Sequence, residues 1–108
     1  MKSKQTQISS RNVIDDLGFS PEESAQIKLK TELHSEILRA VEEHGLSARQ
    51  LEKVLDQPQP RISELLRGKI SKMSVDKLTV YLFLLGKRVK MVTEPRPLSP
   101  AEKERLAA

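Results

Sequence analysis

LSARQLEKVLDQPQPRISELLRGK, residues 46–69, is the stretch from which the rest of the chain can be placed. Leu51, Val54 and Leu55 recur on one side of a short helix starting near Ser47. Asp56 and Gln57 then make a turn. A second short helix carries Pro58 and Pro60 in its first turn, where a missing N–H donor costs little. Ile62, Leu65 and Leu66 are its apolar side, and Gly68 ends it. Gln59, Arg61, Ser63, Glu64 and Arg67 are left as its polar exterior.

Upstream, Ser20-Pro21-Glu22-Glu23 is a helix start: a capping hydroxyl, a proline at the first helical position and a glutamate three residues after the cap. The predicted helix runs to about His44. Ala25, Leu29, Leu33, Ile37, Ala40 and Val41 form one apolar stripe along it, and Gly45 is a left-handed stop. His34 and His44 are ten residues apart with no Cys, His or carboxylate at ligand spacing, so they read as surface histidines. Residues 13–19, VIDDLGF, read as a short packed apolar segment. The paired carboxylates Asp15-Asp16 and Glu22-Glu23 are turn and helix-start charges, favoured there by the helix dipole.

Downstream, Ile70 and Met73 bridge to a helix capped by Ser74 and running to Leu85. Val75, Leu78, Leu82 and Leu85 make one seam, while Val80, Phe83 and Leu84 fall on other faces. A helix apolar nearly all round needs cover on more than one side, and in so small a domain a second chain supplies it. Residues 88–93, RVKMVT, alternate as a short strand with Val89 and Met91 on one side and no partner within the monomer. Pro95, Pro97 and Pro100 begin a tail with a final helical turn after Ser99. The expected organisation is a flexible tail over 1–12, one domain over 13–93 and a proline-containing tail over 94–108.

The charge is unevenly spread. The chain has 108 residues and a formal net charge of +4. Residues 1–45 hold six basic side chains against eight acidic ones, whereas residues 46–93 hold ten against four. The basic half is where a polyanion docks. With no cysteine, disulfides, thiolate metal sites and thiol catalysis are excluded. No apolar run reaches the roughly 20 residues of a membrane span, and the N-terminus lacks the apolar core of a secretory signal, so a cytoplasmic protein is expected. There is no nucleophile elbow, phosphate-cradling glycine loop or metal-ligand cluster, so no enzyme, cofactor or small-molecule substrate is expected. Tyr81 and Phe83 are too few aromatics in the basic half to stack unpaired RNA bases.

Two short helices with a rigid apolar junction and a polar outer face meet the requirements of a helix-turn-helix, whose second helix lies in the major groove of DNA. Gln pairs with adenine and Arg with guanine by two hydrogen bonds each, which makes Gln59, Arg61, Ser63 and Arg67 the candidate base-reading set.

The run GLSARQLEKVLDQPQPRISELLRGKISKMSVDKL, residues 45–78, resembles the helix-turn-helix of Xre/Cro-type repressors, and within them it is most similar to the HigA-like antitoxin branch. Residues 59–69 carry the most specific part of the likeness. Ser74-Val75-Asp76-Lys77-Leu78 and Leu85-Gly86-Lys87-Arg88-Val89 extend it, over roughly residues 13–92 in all. The resemblance implies an all-α, lambda-repressor-like bundle of four to five helices, here with the short C-terminal β-strand.

It further implies a homodimeric transcriptional repressor on a palindromic operator, with a RelE/HigB-type toxin as second partner. Ser47, Arg49, Gln57, Lys69 and Lys72 are the candidate phosphate contacts, and Val80, Phe83, Leu84, Val89 and Met91 the candidate dimer or partner surface. The chain departs from the family pattern at Ala48, where a glutamine is usual, at Glu52, where a small residue is usual, and at Asp56-Gln57, where Gly-Val is usual. The alternative is a protein-interaction module that neutralises a partner with little DNA binding of its own.

Overall fold

A computed structural model describes residues 18–108; the expected tail over 1–12 and residues 13–17 of the apolar segment lie outside that range. Five helices follow in order: α1 Pro21–His44, α2 Ala48–Leu55, α3 Gln59–Leu66, α4 Val75–Leu84 and α5 Pro100–Ala107. Local chemistry sets the starts. Ser20, Ser47 and Ser99 are N-caps whose hydroxyls accept from the third helical N–H, while Glu23, Gln50 and Glu102 reach back to the cap N–H as capping boxes. Ser74 caps α4 by accepting from Lys77 N–H at 3.0 Å.

The core is aliphatic and drawn from four helices. Leu33, Ile37 and Ala40 of α1, Leu51 and Leu55 of α2, Ile62 and Leu65 of α3, and Leu78, Tyr81, Leu82 and Leu85 in or beside α4 are buried, with Met73 closing the loop before α4. The main packing is α1 on α4, with α2 on α3 next. The predicted stripe of α1 is buried only from Leu33 onward; Ala25 is exposed and Leu29 is 45% exposed. A 24-residue helix is about 36 Å long, more than the short helices beside it can cover.

The histidines do more than the expected surface role. His34 Nε2 donates to the Leu65 carbonyl at 2.6 Å, and His44 Nε2 donates to the Leu85 carbonyl at 3.0 Å. Both carbonyls lie at helix C-termini, where intrahelical donors run out, and the Leu65 carbonyl also accepts from Gly68 N–H at 3.2 Å. Lys30 Nζ adds a bond to the Ser71 carbonyl at 3.1 Å. Thus α1 holds the C-terminal ends of both α3 and α4 by side-chain bonds, and α4 by packing as well.

The expected C-terminal strand is not formed. Residues 87–99 have no regular structure, and Met91 and Val92 lie 86% and 87% exposed. Alternation alone cannot make a strand, because its N–H and C=O groups need a ladder partner and none of the described residues supplies one. The helical turn expected after Ser99 is a full two-turn helix, α5, with no buried residue. It is closed electrostatically: Arg96 donates to both Glu102 carboxylate oxygens at 3.2 and 2.6 Å, and Ser99 N–H donates at 2.8 Å.

The hydrogen bond from Arg96, then that from the Ser99 backbone, lowers the Glu102 carboxyl from 4.5 to about 2. A depressed carboxyl stabilises the closed cap above its ordinary value, and that contribution is lost as pH falls from 4.5 toward about 2. NMR titration of Glu102 is therefore expected to show a midpoint near 2. An ordinary carboxylate midpoint would mean that α5 is not closed this way.

Candidate nucleic-acid interface

The interface starts from the junction of α2 and α3. Leu51 and Leu55 meet Ile62 and Leu65, and all four are at most 2% exposed. Glu52 is half-buried, yet the two helices stay packed. Between them, Asp56 takes the left-handed conformation with φ 53°, and Gln57 N–H closes on the Glu52 carbonyl at 3.0 Å. Helices α1, α3 and α4 make the same kind of ending with Gly45, Gly68 and Gly86. Asp56 alone makes it with a Cβ, which costs an L-residue roughly 1–2 kcal/mol, less for Asp. Asp56→Gly is accordingly expected to raise stability by about 0.5 kcal/mol and Asp56→Val to lower it by more than about 1 kcal/mol, as read by urea unfolding.

Pro58 is the N-cap of α3 rather than a residue of its first turn, and Pro60 is the second helical residue. At about 100° per residue, Ile62 and Leu65 define the buried side. The opposite side is centred on Pro60, Ser63, Glu64 and Arg67, with Gln59 and Arg61 on its two flanks. Gln59 and Arg67 are exposed, whereas Arg61 and Ser63 are half-buried. Arg61 Nε lies 3.6 Å from Glu64 Oε1. Arg67, the C-cap, donates from Nε to the Ser63 carbonyl at 3.4 Å, which leaves its terminal nitrogens free of that bond. Pro60 and Arg67 thus stand at the centre of the outward face, with Ser63 and Glu64 on either side of them. A helical wheel drawn on Ile62 and Leu65 is the signal in the sequence that finds Pro60.

The candidate phosphate contacts surround this face on separate elements. Ser47 and Arg49 are exposed at the start of α2, where the Ala48 and Arg49 N–H groups are among the donors an α-helix leaves open. The Ser47 oxygen accepts from Gln50 N–H, so its own O–H is the group it has to offer. Gln57 is half-buried in the α2–α3 turn, and Lys69 and Lys72 are exposed in the loop after α3. The two bonds from α1, His34 to Leu65 and Lys30 to Ser71, hold that loop at both sides. Neither bond is visible to periodicity, since each joins residues more than 30 positions apart.

The candidate partner surface divides in two. Val80, Phe83 and Leu84 share one exposed face of α4 at helical spacing. Val89 instead lines a shallow groove with Leu29, Leu33 and Leu82 on the side of α1, and Met91 projects from the irregular segment beyond it.

No curated protein matches the sequence. A solved structure provisionally named an XRE-family transcriptional regulator superimposes with a TM-score of 0.64 at 25% identity, covering 71% of this chain and 86% of the other. The helix-turn-helix domain family matches residues 13–94, which contain the whole α1–α4 bundle and the α2–α3 junction. The chain belongs to the helix-turn-helix domain family.

Proposed function

We propose that this chain is a DNA-binding transcriptional regulator of the Xre type, and a sequence-specific repressor that grips a palindromic operator as a homodimer. The observation that carries this reading is α3: a helix with two fully buried anchors and a polar, part-cationic outer face, standing on a rigid junction in the basic half of the chain. In each half-site α3 enters the major groove. Gln59, Arg61, Ser63 and Arg67 read base edges, and the apolar ring of Pro60 at the centre of the face suits a thymine methyl. Ser47, Arg49, Gln57, Lys69 and Lys72 fix register on the phosphates without reading sequence. Two copies present their α3 helices about 34 Å apart on one side of the duplex.

The likeness to the HigA branch supports a narrower role as the antitoxin of a toxin–antitoxin operon, with a RelE/HigB-type ribonuclease as partner. Selection of bound sequences from a random pool, followed by gel shift across a salt series, tests the DNA reading. Affinity that never exceeds the nonspecific range of about 10⁻⁴–10⁻⁶ M on any sequence would overturn it. Co-purification with the product of the adjacent reading frame tests the antitoxin role.

One observation favours a second reading. Phe83, Met91 and Val92 expose large apolar side chains outside α3. A protein-interaction module that neutralises a partner uses that surface and leaves DNA binding dispensable. Loss of repression in an Arg61→Ala, Arg67→Ala variant that keeps its partner decides for DNA.

A further inference from the structure

The exposed face of α4 carries a pattern of its own. Val80, Phe83 and Leu84 are 52%, 71% and 44% exposed, and Asp76 and Lys77 occupy the turn before them. Placing these residues at about 100° steps puts Val80 on the midline of the exposed sector. Asp76 and Phe83 fall on one flank, and Lys77 and Leu84 on the other. Beside the second flank runs a groove of about 370 Å³, apolar at Leu55, Val80, Tyr81 and Leu84 and polar at Gln57, Asp76 and Lys77, where Asp76 reaches its N-terminal end. An exposed phenyl ring therefore stands on one side of Val80 and a partly apolar groove on the other, whose Leu84 end is level with Phe83 along the helix.

From this juxtaposition we infer that the occupant of the face is α4 of a second copy of this chain, packed parallel about a two-fold axis running along Val80. The inference rests on the reading of the chain as a homodimer and names its surface. A two-fold axis parallel to the helices brings each flank against the opposite flank of the partner at the same height. Phe83 then enters the groove of the other copy beside Leu84, and Asp76 meets the opposite charge of Lys77. An antiparallel pairing brings like flanks together at opposite ends. It sets Asp76 against Phe83 and Lys77 against Leu84, burying charge on apolar surface at a cost. The charge pattern of the face thus selects both the partner and the direction. Such an interface is isologous, each copy offering the same knob and the same hole.

The chain contains no cysteine, so a single one can be introduced as a probe. Val80→Cys is expected to form a covalent dimer on mild oxidation, because the axis brings the two copies of residue 80 within the roughly 4.4–6.8 Å Cα separation that a disulfide spans. Lys103→Cys on α5 is the control expected to stay monomeric. In sedimentation equilibrium, Phe83→Glu is expected to weaken self-association at least about thirtyfold, as loss of a central aromatic anchor does. Its helical circular dichroism should stay unchanged, since residue 83 is exposed.

Asp76→Lys and Lys77→Asp are each expected to weaken association a few-fold, and the double swap to restore it. Unchanged association of Phe83→Glu, or a Val80→Cys chain that does not cross-link, overturns the interface; a double swap worse than either single one overturns the parallel direction. Binding of the Phe83→Glu variant to a half-site duplex separates this from the functional reading. Half-site binding equal to the parent's alongside unaltered self-association refutes the α4 interface alone. Absence of DNA binding in parent and variant refutes the repressor reading.

Discussion

Truncating Leu51 to alanine is expected to cost about 2–5 kcal/mol of stability. Leu51 is 0% exposed and belongs to the one apolar layer joining α2 to α3, so its removal leaves a cavity that two eight-residue helices close poorly. A domain of this size has roughly 5–15 kcal/mol to lose. The variant should therefore unfold at a much lower urea concentration with an unchanged slope, as a well-packed two-state domain does. His34→Ala gives the contrast. It removes one hydrogen bond to the Leu65 carbonyl, in a half-buried setting, and is expected to cost about 1 kcal/mol. A Leu51→Ala loss below that of His34→Ala would mean that α3 is held mainly by its ties to α1 and that the α2–α3 junction is slack.

The same contrast explains what the sequence makes legible. Leu51, Leu55, Ile62 and Leu65 announce themselves because they recur at helical spacing within their own helices. Ser20, Ser47, Ser74 and Ser99 announce helix starts because each cap is completed within three residues. The His34–Leu65 and His44–Leu85 bonds join positions 31 and 41 residues apart, and nothing local marks them. The strand expected over residues 88–93 fails for the complementary reason. Its alternation is local and genuine, but a strand is a relation between two segments, and the described residues contain only one. The stripe of α1 is over-read in its N-terminal half because periodicity shows which face is apolar without showing how far a neighbour extends along it. At the site, the apolar anchors of α3 are enough to find its outer face. Only the wheel drawn on those anchors moves Arg61 to a flank and brings Pro60 to the centre beside Arg67.

That geometry makes replacement of Arg67 the sharper test of DNA reading. Arg67→Ala is expected to weaken operator binding by about 1–3 kcal/mol per half-site if its guanidinium grips a guanine edge. A two-fold operator counts that loss twice, so a single substitution should lower dimer affinity by about 2–6 kcal/mol, roughly 30-fold or more. Discrimination should collapse at one symmetric pair of base positions and persist elsewhere. Lys69→Ala or Lys72→Ala should instead weaken all sequences alike and reduce the salt slope by about 1 for each phosphate no longer neutralised.

Arg61 is expected to behave differently from Arg67, because Glu64 lies 3.6 Å from its Nε and competes with DNA for the same charge. Glu64→Gln should raise nonspecific affinity by removing a carboxylate that repels phosphate, while lowering the ratio of operator to nonspecific binding. Competition gel shifts with single-base operator variants at fixed salt measure all of these. If Arg67→Ala and Lys69→Ala give the same uniform loss, Arg67 grips phosphate, and sequence is read from the first turn of α3 and from the shape of the duplex.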